Sequence, residues 1–236
     1  MLKTFLLPKK AARLIVLQRI EIAGSLLKKL RKIFGRYFFS NFLTKFFLSS
    51  NKVSKKYYDR MGEEFESLSK HLTSENKNYL SIGGGMGGLE VIINQNFKNN
   101  NYYFIEKNFI SRKIRYGWTG MMQSESYNDL KTLEKFLNMN GINNDQINIT
   151  DYDKDKLPIL KFDVITSLFS LDYHYDFHLY EEYLKNVCKP ETKIIFDTIR
   201  ADYFKKIFKN VMILKTDMDT THKSKRILCS QFNYKS

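Results

Sequence analysis

Apolar positions along the chain follow two alternating periods. Residues 78–82 (NYLSI), 101–105 (NYYFI), 147–150, 162–167 (FDVITS) and 193–196 (KIIF) are short apolar runs that read as buried strands. Helical spacing falls between them, over Leu89 to Phe97, Asp129 to Met139, Leu179 to Val187 and Tyr203 to Phe208. The clearest helix places Leu130, Leu133, Phe136 and Leu137 on one face; Ser126 or Asn128 can cap it, and Gly141 ends it. A shorter helix fits Glu63 to Leu72. The chain closes on two strands, Val211 to Leu214 and Arg226 to Phe232, joined by a polar link from Thr216 to Lys225. Without a helix such a link cannot make a parallel crossover, so the pair is expected to be antiparallel. The order predicts an α/β fold: a Rossmann-like, doubly wound, mostly parallel sheet with an antiparallel last strand.

Charge divides the chain differently. Residues 1–60 hold 15 of the 39 Lys and Arg but only two acids, Glu21 and Asp59, while the rest is nearly neutral. The expected division is therefore a basic helical arm, 1–60, and a domain, 61–236. In the arm, Leu26, Leu27, Leu30, Ile33, Phe34, Tyr37 and Phe38 share a helical face, with Lys28, Lys29, Arg31, Lys32 and Arg36 outside it. Such a helix can lie on an anionic membrane surface, pack on its own domain or on a second subunit, or neutralise nucleic-acid phosphates. No apolar run approaches the ~18 residues of a spanning helix. The opening MLKTFLLPKK is too short an apolar stretch for a secretory signal. Two distant cysteines, Cys188 and Cys229, make no disulfide framework, and both read as small core residues. A reducing, cytoplasmic setting is expected, with the arm able to reach the membrane.

The chemistry concentrates at NYLSIGGGMGGLEVII. A strand runs into Gly83, Gly84, Gly85, Met86, Gly87 and Gly88, and a helix follows. Glycines there permit positive φ and let a ligand approach the backbone, at the strand ends where open α/β sheets bind ligands. Glu106 ends the second strand, where its carboxylate can accept hydrogen bonds from both hydroxyls of an adenosine ribose. The loop alone leaves the cofactor open. Gly83-x-Gly85-x-x-Gly88 fits a dinucleotide fingerprint, and with FIEKN it resembles a flavoprotein motif. Gly83-x-Gly85-x-Gly87 equally resembles motif I of the class I S-adenosylmethionine-dependent methyltransferases.

The wider context resembles the methyltransferases. The loop begins too far along for such a flavoprotein. FDVITSLFSLDYHY resembles the family's fourth-strand motif, and YLKNVCKPETKIIFDTIR its following helix, turn and fifth strand. The antiparallel closing pair belongs to the same fold. The resemblance covers residues 61–236. Within the family the chain most resembles sugar O-methyltransferases, through IGGGMGGLE, Tyr127-Asn128-Asp129, Asn140-Gly141 and His174-Tyr175. Two departures stand out: Ser81 where the family usually has an acid, and Glu191-Thr192 where its turn has Gly-Gly.

The resemblance implies S-adenosylmethionine as cofactor, with Ser81, Gly83, Gly84, Gly85, Gly87, Glu106, Asp151, Tyr152 and Ser167 around it. Asp151 and Tyr152 would frame the adenine; a solvated acidic loop is the alternative for Asp151, Asp153 and Asp155. That triplet lacks the glycine and closing Glu of a calcium loop, so no metal is expected. An alcohol acceptor must lose its proton, and the loop after the fourth strand offers His174 as base, with Asp172 orienting it or binding a sugar hydroxyl. Tyr173 and Tyr175 could stack on a sugar ring, and His178 is a weaker candidate base. A lid is expected over residues 111–127, anchored by Trp118. The expected function is O-methylation of a sugar or glycan-type hydroxyl. The alternatives are an FAD- or NAD-dependent oxidoreductase using the same loop, or an RNA methyltransferase using the arm.

Overall fold

The structure, a computed structural model, describes residues 4–72, 77–111, 126–216 and 223–233. Seven strands form one sheet in the order β3-β2-β1-β4-β5-β7-β6. They are β1 (Asn78–Ile82), β2 (Asn101–Glu106), β3 (Ile147–Asp151), β4 (Phe162–Ser167), β5 (Cys188–Thr198), β6 (Phe208–Lys215) and β7 (Lys225–Phe232). The first five run parallel; β7 is antiparallel to β5 and to β6. This is the expected doubly wound architecture. Its strand order reverses between β1 and β4, which opens a crevice beyond their carboxyl ends.

Period-2 alternation sends successive side chains to opposite faces of the sheet. Tyr79, Tyr102, Phe104, Val164, Ile195 and Leu228 join one core, with α1 (Lys9–Gln18), α4 (Ser50–Leu68), α5 (Gly88–Asn96) and α6 (Leu130–Met139). Leu80, Ile82, Ile105, Ile165, Phe196 and Ile227 join the other, under α7 (His178–Val187) and α8 (Ala201–Phe204). Two helical stretches remain in the arm, α2 (Ser25–Phe38), which runs through a π-turn into α3 (Thr44–Phe46).

Several boundaries moved for local reasons. α4 starts thirteen residues before its expected start at Glu63, capped by the Ser49 hydroxyl, which accepts from Lys52 N–H. α6 is capped by Asp129, whose Oδ1 accepts from Thr132 N–H at 2.9 Å, because Asn128 is committed elsewhere. The Lys189–Thr192 stretch, expected as a turn, is drawn into β5. There Thr192 Oγ1 donates to Phe162 O at 2.6 Å and accepts from Lys189 N–H at 2.7 Å. Phe208 leaves the last helix for β6, where its ring lies 4.4 Å from that of Phe232.

The arm is not uniform. Ala11, Ala12, Leu14, Ile15, Val16 and Leu17 are all buried in the core shared with α4, α5 and α6. Long-range bonds hold α1 there: Lys10 pairs with Asp129 at 2.9 Å, and Leu6 N–H donates to Asn140 Oδ1 at 2.8 Å. α2, in contrast, has no buried residue.

Candidate active site at the glycine loop

β1 delivers the chain into the loop, and positive φ at Gly83 (64°), Gly85 (68°) and Gly87 (68°) folds it. A Cβ on Gly83 would lie 2.0 Å from Ser170 Oγ, and one on Gly85 would lie 2.6 Å from Gln18 Oε1. The loop is therefore walled on one side by the segment after β4 and on another by the end of α1. Gly87 serves packing instead: it begins α5 close against α6, where a Cβ would lie 2.7 Å from Leu137 Cδ2. Tyr57 of α4 supports the same helix end, its hydroxyl accepting from Gly88 N–H at 3.1 Å.

Glu106 stands at the end of β2, buried, and its Oε1 accepts from Gly85 N–H at 2.6 Å. Asn128 hydrogen-bonds the same carboxyl and donates Nδ2–H to Gly85 O at 2.8 Å. Burial pushes the Glu106 carboxyl up to about 7; the bonds from Asn128 and Gly85 act against this, and nearby Glu90 adds to it. This has a consequence for ligand-free stability. A carboxyl raised from 4.5 to about 7 binds more protons folded than unfolded. Stability therefore falls as pH rises through that window, by up to about 3 kcal/mol, and is flat below it. Glu106→Gln should reduce the slope by that amount, leaving the part due to Glu90 and Asp197, whose carboxyls burial also raises. Thermal melting of both proteins from pH 5 to 8 checks this, and parallel curves would refute it.

Beneath the loop, Ser81 is buried and hydrogen-bonds a carboxylate that the sequence reading passed over, Glu90 on the first turn of α5. Thr166 Oγ1 lies 3.5 Å from Glu90 Oε1, while Oε2 is buried without a partner. Oε1 would also lie 3.6 Å from a Cβ on Gly84. Burial raises the Glu90 carboxyl above its usual range. Ser81 thus has an acid beside it after all, in the first turn of the helix.

The remaining expected residues divide. Asp151 sits beside Glu106 in register, but its carboxylate closes its own turn, accepting from Asp153 N–H at 3.2 Å with Lys154 at 3.5 Å. Tyr152 N–H donates to Glu106 O at 2.8 Å, with the Lys107 ammonium 5.2 Å from its ring centre. Ser167 Oγ donates to Ile82 O at 2.6 Å and accepts from Leu171 N–H at 2.9 Å, so its hydroxyl fixes the β1–β4 junction.

After β4, Phe169 and Asp172 adopt positive φ (57° and 58°), and the chain turns back over Ser170, whose carbonyl accepts from His174 N–H at 2.7 Å. Asp172 does not stand free to serve an imidazole. Its carboxylate is gripped by Arg200, from Nε at 3.0 Å and from Nη2, and by Thr198 Oγ1 at 2.5 Å. Its place is that of a buried anchor between this loop and the end of β5. His174 is half-buried, its ring edge-on to Tyr173 at 5.1 Å, and burial pushes its imidazole down to about 4. Tyr173 is itself buried against Phe169, whereas Tyr175 keeps a half-exposed ring. His178 is spent on Glu181, at 2.6 Å, and on the Tyr203 hydroxyl, at 2.7 Å. Burial raises the Cys188 thiol to about 12 and the Cys229 thiol further, which leaves neither reactive at neutral pH. The expected lid, with Trp118, lies mostly outside the described residues; the Ile110–Tyr127 bridge closes its base.

Sequence reasoning also missed Gln18 and Arg19. Gln18 Nε2 donates to Tyr127 O at 2.8 Å, and the Arg19 guanidinium lies 5.1 Å from the Phe169 ring centre. Tyr127, Asn128 and Asp129 together join the arm, the glycine loop and the start of α6. Nothing in local spacing announces these contacts; only the unusual YND triplet marks the junction.

A nucleoside-bearing cofactor suits this donor set. The glycines make a tight positive-φ turn at the carboxyl end of β1, Glu106 offers a carboxyl for a ribose diol, and an unpartnered Glu90 oxygen lies buried by the loop. Comparison with solved structures returns coclaurine N-methyltransferase bound to N-methylheliamine and S-adenosylhomocysteine, at 11% identity and TM-score 0.42 over 64% of this chain and 36% of that one. The mitomycin 7-O-methyltransferase MmcR matches at 11% identity and TM-score 0.48, over 77% and 56%. An uncharacterized protein of Listeria monocytogenes serotype 4b matches at 12% and 0.44, over 73% and 68%. The chain thus spans about a third to a half of the two named enzymes. No curated protein matches it. The family described as "Methyltransferase domain" matches residues 53–227, from within α4 into β7 and so across the whole sheet. The chain belongs to that family.

Proposed function

We propose that the chain transfers a methyl group from S-adenosylmethionine, that the acceptor is a hydroxyl of a sugar or glycan-type molecule, and that His174 takes its proton. The cofactor supplies an electrophilic methyl group on a positively charged sulfur. The chain must therefore hold the two partners in line and remove one proton, and orientation supplies most of the rate. Glu106 accepts from the ribose hydroxyls, Gly83 to Gly85 give the backbone room for the methionine end, and the Ser81–Glu90 pair receives its amino group. Asp151 and Tyr152 border the adenine, with Ser167 holding the crevice floor.

The observation that carries the hydroxyl reading is the position of His174, on a loop whose Ser170 packs against the glycine turn. An alcohol needs a base with a free lone pair at the moment of transfer; burial pushes this imidazole down to about 4, so it is unprotonated but a weak base until acceptor and cofactor change its surroundings. The half-exposed Tyr175 ring offers a face for a pyranose, and Arg200 holds the loop rigid through Asp172.

The test is transfer from methyl-labelled S-adenosylmethionine to a panel of free sugars, nucleotide-activated sugars and lipid-linked glycans. Acid hydrolysis should release label as an alkali-stable O-methyl sugar. Label found on amines, carboxyl esters or RNA would replace this acceptor.

A further inference from the structure

The arm segment 25–47 presents an apolar surface that the domain does not use. Leu27 and Leu30 lean on the core, and Phe39, Leu43 and Thr44 are buried, so the segment is anchored. Its other side faces outward with Ile33, Phe34, Phe38, Phe42, Phe46 and Phe47, between 37% and 72% exposed. The rings form a ladder: Phe34 to Phe38 5.2 Å, Phe38 to Phe42 4.9 Å and stacked, Phe42 to Phe46 5.1 Å. Gly35, at φ +81° with nothing near its absent side chain, makes the kink within this stripe. A contiguous exposed patch of this kind marks an interaction surface.

Charge identifies the occupant. Between Glu21 and Asp59 there is no acid, and segment 25–47 carries Lys28, Lys29, Arg31, Lys32, Arg36 and Lys45. A second copy docking by two-fold symmetry would set six cations against six with no acid to answer them. Stacked nucleobases need separated rings, whereas these rings already pack on one another, and aliphatic Ile33 continues the stripe. An anionic bilayer answers both halves at once: hydrocarbon for the rings and lipid phosphates for the cations. No helix among the described residues is long and apolar enough to cross a membrane, so the segment would lie along the surface.

We propose that residues 25–47 dock the protein on anionic lipid, with the aromatic ladder inserted at the headgroup boundary. This does not rest on the acceptor proposed above. The same arm ends its buried helix at Gln18, against the glycine loop, so the docked surface is in covalent continuity with the wall of the cofactor crevice.

The test is sedimentation of the full chain with vesicles of phosphatidylcholine alone or mixed with phosphatidylglycerol. The wild type should pellet with the mixed vesicles and remain in solution with the neutral ones. Phe38→Asp/Phe42→Asp and Lys29→Glu/Lys32→Glu should each weaken binding at least tenfold, with melting temperature and S-adenosylhomocysteine affinity unchanged. Failure of the wild type to pellet, or undiminished binding by the Asp pair, overturns the proposal. So does RNA binding, read by anisotropy, that these variants abolish while vesicles go unbound. A dimer seen by light scattering, dissolved by the Asp pair with no vesicle binding, likewise assigns the stripe to self-association.

Discussion

Arg226→Ala should lower stability by about 3–5 kcal/mol, the cost of leaving buried charge unpaired, and the melting temperature by about 10 °C. The arginine is fully buried on β7. Its guanidinium binds Asp197 of β5 through Nε at 2.8 Å and Nη2 at 3.0 Å. Its Nη1 binds Glu64 of α4 and, at 2.8 Å, Ser67. Burial alone would work against its charge, but Asp197 and Glu64 more than restore it. Glu64 is likewise pushed up by burial and pulled down further by Arg226, ending below its usual range. Removing the arginine leaves Asp197, which burial already holds above its usual range, to rise further, and leaves Glu64 with only Arg19, at 3.8 Å, so its pKa rises as well. The variant should therefore regain stability relative to the wild type as pH falls from 7.5 toward 5.5. A Glu64→Gln/Asp197→Asn/Arg226→Met replacement should recover part of the loss, since it removes the buried charges while leaving two buried amides to satisfy. A pH-independent deficit that the triple variant shares would show that lost packing, not stranded charge, is the cause.

His174→Ala should lower turnover by about 10²- to 10⁴-fold, the usual worth of a positioned base, with S-adenosylhomocysteine affinity changed less than about twofold in calorimetry. The pH profile tests whether burial holds that imidazole neutral. An imidazole held near 4 by burial gives kcat/KM for the acceptor, at saturating cofactor, that is flat from pH 5.5 to 8. The protonation limb would appear only near pH 4. An unburied histidine would instead show a rise through pH 6.5. Turnover retained in the Ala variant would remove His174 from the chemistry and return attention to Tyr175.

What could be read from the chain followed the range of the forces involved. β1, β4 and the glycine loop were legible because buried parallel strands are continuous apolar runs and the turn needs positive φ, both local properties. The place of Glu106 at the end of β2 was legible because strand, loop, helix and strand fix its distance from Gly83. The partners of Asp172 and Arg226 were not legible. Arg200 lies 28 residues beyond Asp172, and Glu64 lies 162 residues before Arg226, and ion pairs have no periodicity. α1 was misleading for a related reason. Lys9, Lys10, Arg13 and Arg19 surround its apolar residues and gave the whole arm one basic character, although Ala11 to Leu17 belong to the core. Glu90 stands where an acid suits any helix dipole, so nothing local marks it out; only the fold sets it against Ser81.

The burial of α1 has a consequence for the order in which the molecule assembles. Leu6 waits for Asn140, 134 residues later, and Gln18 for Tyr127, 109 residues later. At translation rates of about 5–20 residues per second, those partners follow on the order of ten seconds after the arm. Closing so long a loop also slows the final step, because its entropy is lost before its contacts form. During that interval the nascent chain displays the aromatic ladder while the crevice wall at Gln18 is still missing. The exposed aromatic face is therefore released first, and the crevice is completed last.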